Sequence, residues 1–323
     1  MAGLGGWMRS TRYGARMWID RLLAPLVPLS FGDPGLRLRR RGFAELGRLD
    51  HRHVVITGAN SGIGRAAAEA LALRGARITM VCRDRARAVA ARDAIAATVK
   101  GPIAVELCDV SHLDEVAALA ARLRDPIDLV IHNAGLLPAD RIDTADGLEL
   151  TWAVHVVGPH LLTRLLRPRI APTSRIVFVS SGGMYLAPLV APGTVPTPYD
   201  GVRAYALTKR AQVVLAELWA EHDPDGPRVV AMHPGWVDTA AVRTSLPTFH
   251  AITRPILRDA AGGADTLEWL ASCPIDALAH GGFYFDRTRR RTHVAAWQRD
   301  APVLRAELWR WCNAVTDRYA APA

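Results

Sequence analysis

The run HVVITGANSGIG, His53 to Gly64, sets a short β-branched stretch directly before a glycine-rich turn, and an Ala-rich helical stretch follows it to near Gly75. Its glycines, Gly58, Gly62 and Gly64, are spaced G-x3-G-x-G. Gly58 lets the chain turn tightly, Gly62 lets backbone come close to a pyrophosphate, and Gly64 lets helix and strand pack closely. The helix start offers free N–H groups and a partial positive charge to an anion. Asn60, Ser61 and Ile63 fill the turn and join the glycines as candidate cofactor-binding residues. A glycine-rich turn alone is a weak signal. Placed after the first strand of an alternating chain, it reads as a dinucleotide cradle.

The alternation runs outward from there. RITMVC (77–82), IAVEL (103–107), IDLVIH (127–132), SRIVFVS (174–180), RVVAMH (228–233) and GFYFD (282–286) are predicted strands. Helical stretches over about 84–99, 111–123, 203–221 and 301–316 lie between or after them. This alternation predicts parallel βαβ units, with right-handed crossovers covering both faces of one sheet. Runs such as VVI and LVI lack period-two alternation and suit strands buried on both faces. No Pro/Gly/Ser linker divides the body. The reading is α/β, a doubly wound parallel sheet of the Rossmann type. Residues 49–323 form one nucleotide-binding domain that includes a C-terminal helix, and residues 1–48 form a basic, amphipathic N-terminal extension.

Four further motifs follow in order: IHNAG (131–135), VSS (179–181), YALTK (205–209) and PGWVDT (234–239). With the glycine turn, they make the chain resemble the short-chain dehydrogenase/reductase superfamily over roughly residues 50–290. The resemblance implies hydride transfer between a nicotinamide and a carbonyl or secondary alcohol, with Ser181, Tyr205 and Lys209 as catalytic residues. Of the pair Ser180 and Ser181, the second is the family's usual choice. The resemblance also implies that Asp109, with Val110 beside it, contacts the adenine, and that Asn133, Ala134 and Gly135 line the adenine ribose side. Pro234, Gly235, Val237 and Thr239 would border the nicotinamide. One position departs. In WAVHVVGPHLLT (152–163), His155 stands where the family has a fourth catalytic residue, an Asn that helps hold a water linking the lysine to solvent. His155 reads as a preserved relay, a weakened relay, or a structural histidine satisfied by a backbone partner. His132, in IHNAG, reads as a packing substitution.

The residue types can be weighed on their own chemistry. Tyr205 and Lys209, at i and i+4, project from one helix face. A tyrosine with a pKa near ~10 is a poor base at neutral pH. A neighbouring ammonium and an oxidised nicotinamide would both favour phenolate and lower that pKa. Tyr205 would then exchange a proton with the substrate oxygen, Ser181 would hydrogen-bond the same oxygen, and Lys209 would also bind the nicotinamide ribose as the resemblance implies. The Pro/Gly-rich insert APLVAPGTVPTPYDG (187–201) is expected to form a loop near the site's mouth. Met184, Tyr185 and Trp236 read either as lining of a lipophilic pocket or as core.

Cofactor choice turns on Cys82, Arg83 and Asp84 at the end of the second strand. An acidic residue there would bind ribose hydroxyls and favour NAD(H). Arg83 comes first and can pair with a 2′-phosphate, with Arg65 adding charge nearby. NADP(H) is favoured, and Asp84 keeps NAD(H) open.

Composition bounds the rest. The chain has 323 residues, is 50% hydrophobic and 22% charged, and carries a net charge of +9, too apolar for a disordered chain. No uncharged apolar run approaches the ~18–20 residues of a membrane span. The first residues lack a secretory signal pattern. Cys82, Cys108, Cys273 and Cys312 form no CxxC pair, which argues against a zinc site or disulfide framework and for a reducing compartment. Arg37 and Arg39–Arg41, and Arg287 and Arg289–Arg291, read as surface charge or as contacts to phosphate or anionic lipid. Neither group alternates with aromatics, so nucleic acid is not an expected partner. Arg9, Arg12, Arg16 and Asp20 make one polar stripe with Trp7, Trp18 and Leu22 largely off it. Residues 1–30 therefore either lie at a membrane interface or dock on their own domain. The expected setting is cytoplasmic, peripheral to a membrane in the first case. The expected partners are a small carbonyl or alcohol substrate and, by family analogy, a second copy of the chain. A dinucleotide-binding sensor or membrane-surface protein is the alternative if His155 marks a decayed relay.

Overall fold

A computed structural model describes residues 27–294 and 299–320. Most of the basic amphipathic stretch at 1–30 therefore lies outside the described residues. The strands are β1 (His53–Thr57), β2 (Arg77–Cys82), β3 (Ile103–Leu107), β4 (Ile127–His132), β5 (Ile170–Val179), β6 (Arg228–Met232), β7 (Gly282–Phe285) and β8 (Thr288–Arg290). They form one sheet in the order β3-β2-β1-β4-β5-β6-β7-β8. Pairing is parallel throughout except for β8, which runs antiparallel on β7. The order reverses between β1 and β4, and the crevice beyond the carboxyl ends of those strands is where such a sheet takes a ligand.

The long helices are α1 (Asp33–Arg40), α2 (Gly62–Leu73), α3 (Arg85–Ala96), α4 (Leu113–Arg122), α5 (Gly158–Leu166), α6 (Gly201–His222), α7 (Ala260–Ser272) and α8 (Pro302–Thr316). Val54, Ile56, Ile78 and Met80 pack against α2, α3 and α7, while Val55, Val81, Val130 and Phe178 pack against α4, α5, α6 and α8. Successive strand side chains thus enter opposite layers, and both layers are apolar. Three of these long helices carry a side-chain cap at their start. Asp84, Asp200 and Asp259 accept from the backbone N–H groups of Arg87, Arg203 and Gly262.

The predicted strands and their α/β order agree with this sheet. Two differences stand out. β5 begins at Ile170 rather than Ser174, because Ile170 pairs with Ile127 before the register shifts. β8 was not expected. It is three residues long, and its hairpin turn, Asp286–Arg287, has positive φ at both residues.

The Arg37–Arg41 run is not wholly surface charge. Leu36 and Arg39 on α1 are buried, and Arg39 donates to Asp286 at 2.8 Å. Arg258 grips the other side of the same carboxylate at 2.6 and 2.9 Å. A charge this deep needs a partner, which overrides the expectation of phosphate or lipid contact for Arg39. At the other basic run, Arg287 pairs with Asp265 at 2.8 Å. On α6, buried Arg210 pairs with Asp300 and so ties the segment before α8 to the helix that carries Tyr205. The 187–201 insert lies as a loop. The Trp152 indole donates to Thr194 O at 3.0 Å, and Tyr199 bonds Glu149 at 3.0 Å.

Among the described residues, no helix is long and apolar enough to cross a membrane, and no cluster of His, Cys, Asp or Glu could hold a metal. The four cysteines are free and buried. Burial pushes the Cys82 and Cys108 thiols up to about 11 and about 12, so they are poor nucleophiles at neutral pH.

Candidate active site

The glycine turn closes over the end of β1. Gly58 and Gly62 have φ of 69° and 52°, a region that side chains disfavour. A Cβ on Gly58 would stand 2.9 Å from Ala134 Cα, and one on Gly64 would collide with Gly58 O and the Asn133 amide. The turn therefore presents bare backbone at the mouth of the crevice, and the residues fit a pyrophosphate. Ser61 begins α2 without a side-chain capping bond of its own. Asn133 donates to Thr57 O and Gly58 O at 3.0 and 3.2 Å, and Thr57 Oγ1 accepts from the N–H groups of Asn133 and Ala134. The Asn133 side chain thus braces the glycine turn. Substituting Ala at Gly64 is expected to cost about 1–3 kcal/mol by overpacking. Thermal unfolding checks it, and an unchanged midpoint would show that the turn has room.

Among the residues expected to meet the adenine, Asp109 accepts from Ser111 N–H and Oγ–H and lies 3.9 Å from the exposed Arg83 guanidinium. Val110 is buried, and its carbonyl lies so close to Gly158 that no Cβ fits there. Asp84 is engaged as the cap of α3. Among the residues expected to border the nicotinamide, Val237 closes with Ile63 on Gly263, and Thr239 Cγ2 would be 3.5 Å from a Cβ on Gly62. Gly235 has φ of 82°, and Pro234 O accepts from Arg258.

The catalytic candidates meet at the end of β5, on the first turns of α6 and on the turn that leads into α5. Ser180 is buried and donates to Lys209 O at 2.8 Å, a structural bond. Ser181 lies beside Tyr205 and its Oγ accepts from Gly183 N–H at 3.1 Å. A Cβ on Gly183 would be 3.5 Å from Ser181 Oγ and 3.9 Å from the Tyr205 ring. Lys209 Nζ donates to Val179 O at 2.7 Å and to Gln212 Oε1 at 3.1 Å, and it stands 5.6 Å from the Tyr205 ring centroid.

The lowering expected for Tyr205 draws on an oxidised nicotinamide as well as on Lys209, and the protein's own surroundings act the other way. Burial raises the phenol pKa, and the Ser181 hydrogen bond only partly offsets that. Burial also pushes Lys209 down to about 7, so its amine carries less charge toward the phenol at neutral pH.

His155 lies in this cluster, within a π-helical turn, Ala153–Val157, that leads into α5. Its ring meets Tyr205 edge-on at 5.4 Å. The Leu136 N–H donates to Nε2 at 3.2 Å, so Nδ1 carries the proton and donates to Thr208 Oγ1 at 2.8 Å. Burial, then Lys209, holds the ring neutral. Both nitrogens are therefore engaged by the chain. His132 packs on Phe178, bonds Thr163 and is pushed down to about 3 by burial. Met184 is fully buried, Tyr185 bonds Arg291 O, and Trp236 remains half-buried against Phe249.

Sequence reasoning passed over Thr57, Gln212, Phe31 and Arg258. Gln212 had a readable signal, standing three residues after Lys209 on one helix face. Phe31 and Arg258 lie outside the motifs and reach the site only through the tertiary fold.

Residues 52–248 match the family model described as short chain dehydrogenase. The chain belongs to the short-chain dehydrogenase family. It is thereby an NAD(P)-dependent oxidoreductase by family. Dehydrogenase/reductase SDR family member 12 of Bos taurus is 39% identical over 251 residues, 75% of this chain and 79% of its own. A Streptomyces protein named "Putative daunorubicin C-13 ketoreductase DnrU" is 39% identical over 269 residues, 81% of this chain and 92% of its own. The structure of a short-chain dehydrogenase from Sphingobium yanoikuyae in complex with NADPH superposes with a TM-score of 0.55 at 25% identity, over 67% of this chain and 82% of that one. Within the short-chain dehydrogenase fold, the matched residues include every motif from the glycine turn to PGWVDT. They leave α1, Arg258 and the β7–β8 hairpin outside.

Proposed function

We propose that this short-chain dehydrogenase is an NADP(H)-dependent reductase of lipophilic ketones or aldehydes, with Tyr205 as the proton donor. The observation that carries it is the meeting of Ser181, Tyr205 and Lys209 beside the bare glycine turn. When bound, the dinucleotide supplies the hydride to the carbonyl carbon. Tyr205, kept protonated by its raised pKa, gives a proton to the carbonyl oxygen. Ser181 hydrogen-bonds that oxygen and holds the carbon in place. Lys209 holds the ribose side and, through Val179 O and Gln212, stays anchored to β5 and α6.

The 2′-phosphate reading rests on Arg83. Its guanidinium is exposed at the end of β2, and Asp84 is engaged as a helix cap. The NADPH complex of the related structure points the same way. Arg83→Ala is expected to weaken NADPH about ten- to hundredfold, the size of a charge-assisted hydrogen bond, with a much smaller effect on NADH. Calorimetric titration of both cofactors checks this; equal losses would remove Arg83 from the phosphate site.

The lipophilic substrate class rests on the half-buried Trp236 and on exposed Leu186 and Val202 beside the motifs. The relative named a ketoreductase supports carbonyl reduction. The test is a panel of lipophilic carbonyls with NADPH, followed at the nicotinamide absorbance. A second reading, a dinucleotide-binding sensor, is favoured by one observation, the engagement of both His155 nitrogens. Tight NADPH binding without turnover of any carbonyl would choose it. Peripheral contact of residues 1–30 with anionic lipid, a cytoplasmic setting and pairing with a second copy stay with this proposal as its expected surroundings.

A further inference from the structure

Phe31 sits at the C-terminal end of the sheet, on the segment just before α1. It is half-buried, and its ring lies against Gly182, the residue after Ser181. A Cβ on Gly182 would stand 2.7 Å from Phe31 Cε2 and 3.1 Å from Cδ2. The other contacts of the ring are aromatic: His233 at 4.8 Å, Phe285 at 5.2 Å and Trp236 at 6.1 Å. Its carbonyl is held twice, by the Trp236 N–H at 2.9 Å and by Arg258 Nε at 2.8 Å. Arg258 in turn grips Asp286, which also pairs with Arg39 on α1. Gly235 approaches Phe31 O so closely that a Cβ would be 2.5 Å from it. Phe31, Arg39, Arg258 and Asp286 all lie outside the family-matched residues 52–248.

We propose that Phe31 is a specificity residue of the catalytic site. It forms one flat apolar wall between Ser181 and the Pro234–Thr239 loop, and the wall selects carbonyl substrates that carry a broad aromatic group. The Arg39–Asp286–Arg258 bridge holds that wall in position. This rests on the carbonyl-reductase reading above and adds the shape of the substrate. Packing a planar group on Phe31 and Trp236 gains both apolar burial and ring-on-ring contact.

The experiment uses the full chain and two ketones, acetylnaphthalene and butanone, with Phe31→Ala and Phe31→Leu. Phe31→Leu keeps apolar bulk against Gly182 and removes the flat face. Circular dichroism confirms the fold of each variant. The ratio of kcat/KM for acetylnaphthalene to that for butanone is expected to fall at least tenfold in both variants, mainly through KM. A ratio within twofold of wild type would overturn the proposal, because a purely structural residue lowers both substrates together. Binding of acetylnaphthalene to the NADP+-loaded protein, read by calorimetry, separates this claim from the reductase reading. If wild type reduces neither these ketones nor any carbonyl of the lipophilic panel, the reductase reading fails. The wall claim then stands if wild type binds acetylnaphthalene at least tenfold more tightly than Phe31→Leu, and falls if the two bind alike.

Discussion

Replacing Tyr205 by phenylalanine is expected to cut kcat for carbonyl reduction by about 10²–10⁴-fold, the usual contribution of a positioned general acid. At 1.36 kcal/mol per tenfold, that is about 3–5 kcal/mol of barrier. The ring remains, so its edge contact with His155 at 5.4 Å and its place on α6 are kept. Only the hydroxyl beside Ser181 is lost. NADPH affinity is therefore expected to stay within a few-fold of wild type. Steady-state kinetics and calorimetry on the same preparation separate the two quantities. Turnover within tenfold of wild type would remove Tyr205 from proton transfer. The raised phenol pKa adds a sign: the proton-donating form persists through neutral pH, and its loss as the phenol ionises lowers reduction on the alkaline side.

Asp286→Asn is expected to produce the largest loss of stability, about 3–5 kcal/mol, because it leaves two buried guanidinium groups without their shared carboxylate. Asp286 is fully buried, and Arg39 and Arg258 reach it at 2.8 and 2.6 Å. Asparagine suits the test because it keeps the volume and tolerates the residue's φ of 48°. The charge is then the main thing removed. Urea unfolding reads the change, with the midpoint falling and the slope held. A change near zero would mean that the carbonyls of Ser30, Phe31 and Pro234, which already accept from these arginines, compensate both charges. The same carboxylate links α1 to the loop after β6, so the variant is also expected to loosen the substrate side of the site.

The strand pattern was legible in the sequence because strands covered on both faces need near-continuous apolar runs, and VVI and LVI are such runs. The glycine spacing was legible for a similar reason: it reports backbone that must pass without a Cβ, as Gly58 and Gly64 do. Ser181, Tyr205 and Lys209 could be placed together from motif order alone. What the sequence could not report was how burial changes their charges. An i, i+4 Tyr and Lys suggest a lowered phenol pKa, but the fold binds the lysine to Val179 O and Gln212 and buries both groups. The Arg37–Arg41 run shows a second limit. An arginine read alone is a surface charge, and only the approach of Asp286 from 247 positions away makes Arg39 a core residue. Phe31 reaches Gly182 in the same long-range way.

His155 shows where residue type and environment part. The family pattern made it a relay candidate. In the structure it lies in a π-helical turn, accepts from the Leu136 N–H and donates to Thr208, so it joins the IHNAG segment to α6. Polar groups enclosed this way are costly unless every atom is satisfied, and here both nitrogens are.

The most direct test of the account is a single-turnover mixing experiment. Protein saturated with NADPH is mixed with acetylnaphthalene, and the nicotinamide absorbance is followed in wild type and in Tyr205→Phe. The account predicts a first-order fall of the full bound signal in wild type and a fall slowed by at least a hundredfold in the variant. Equal rates in the two proteins would contradict the role given to Tyr205. A stable NADPH signal in wild type with every lipophilic carbonyl of the panel would contradict the reductase reading itself.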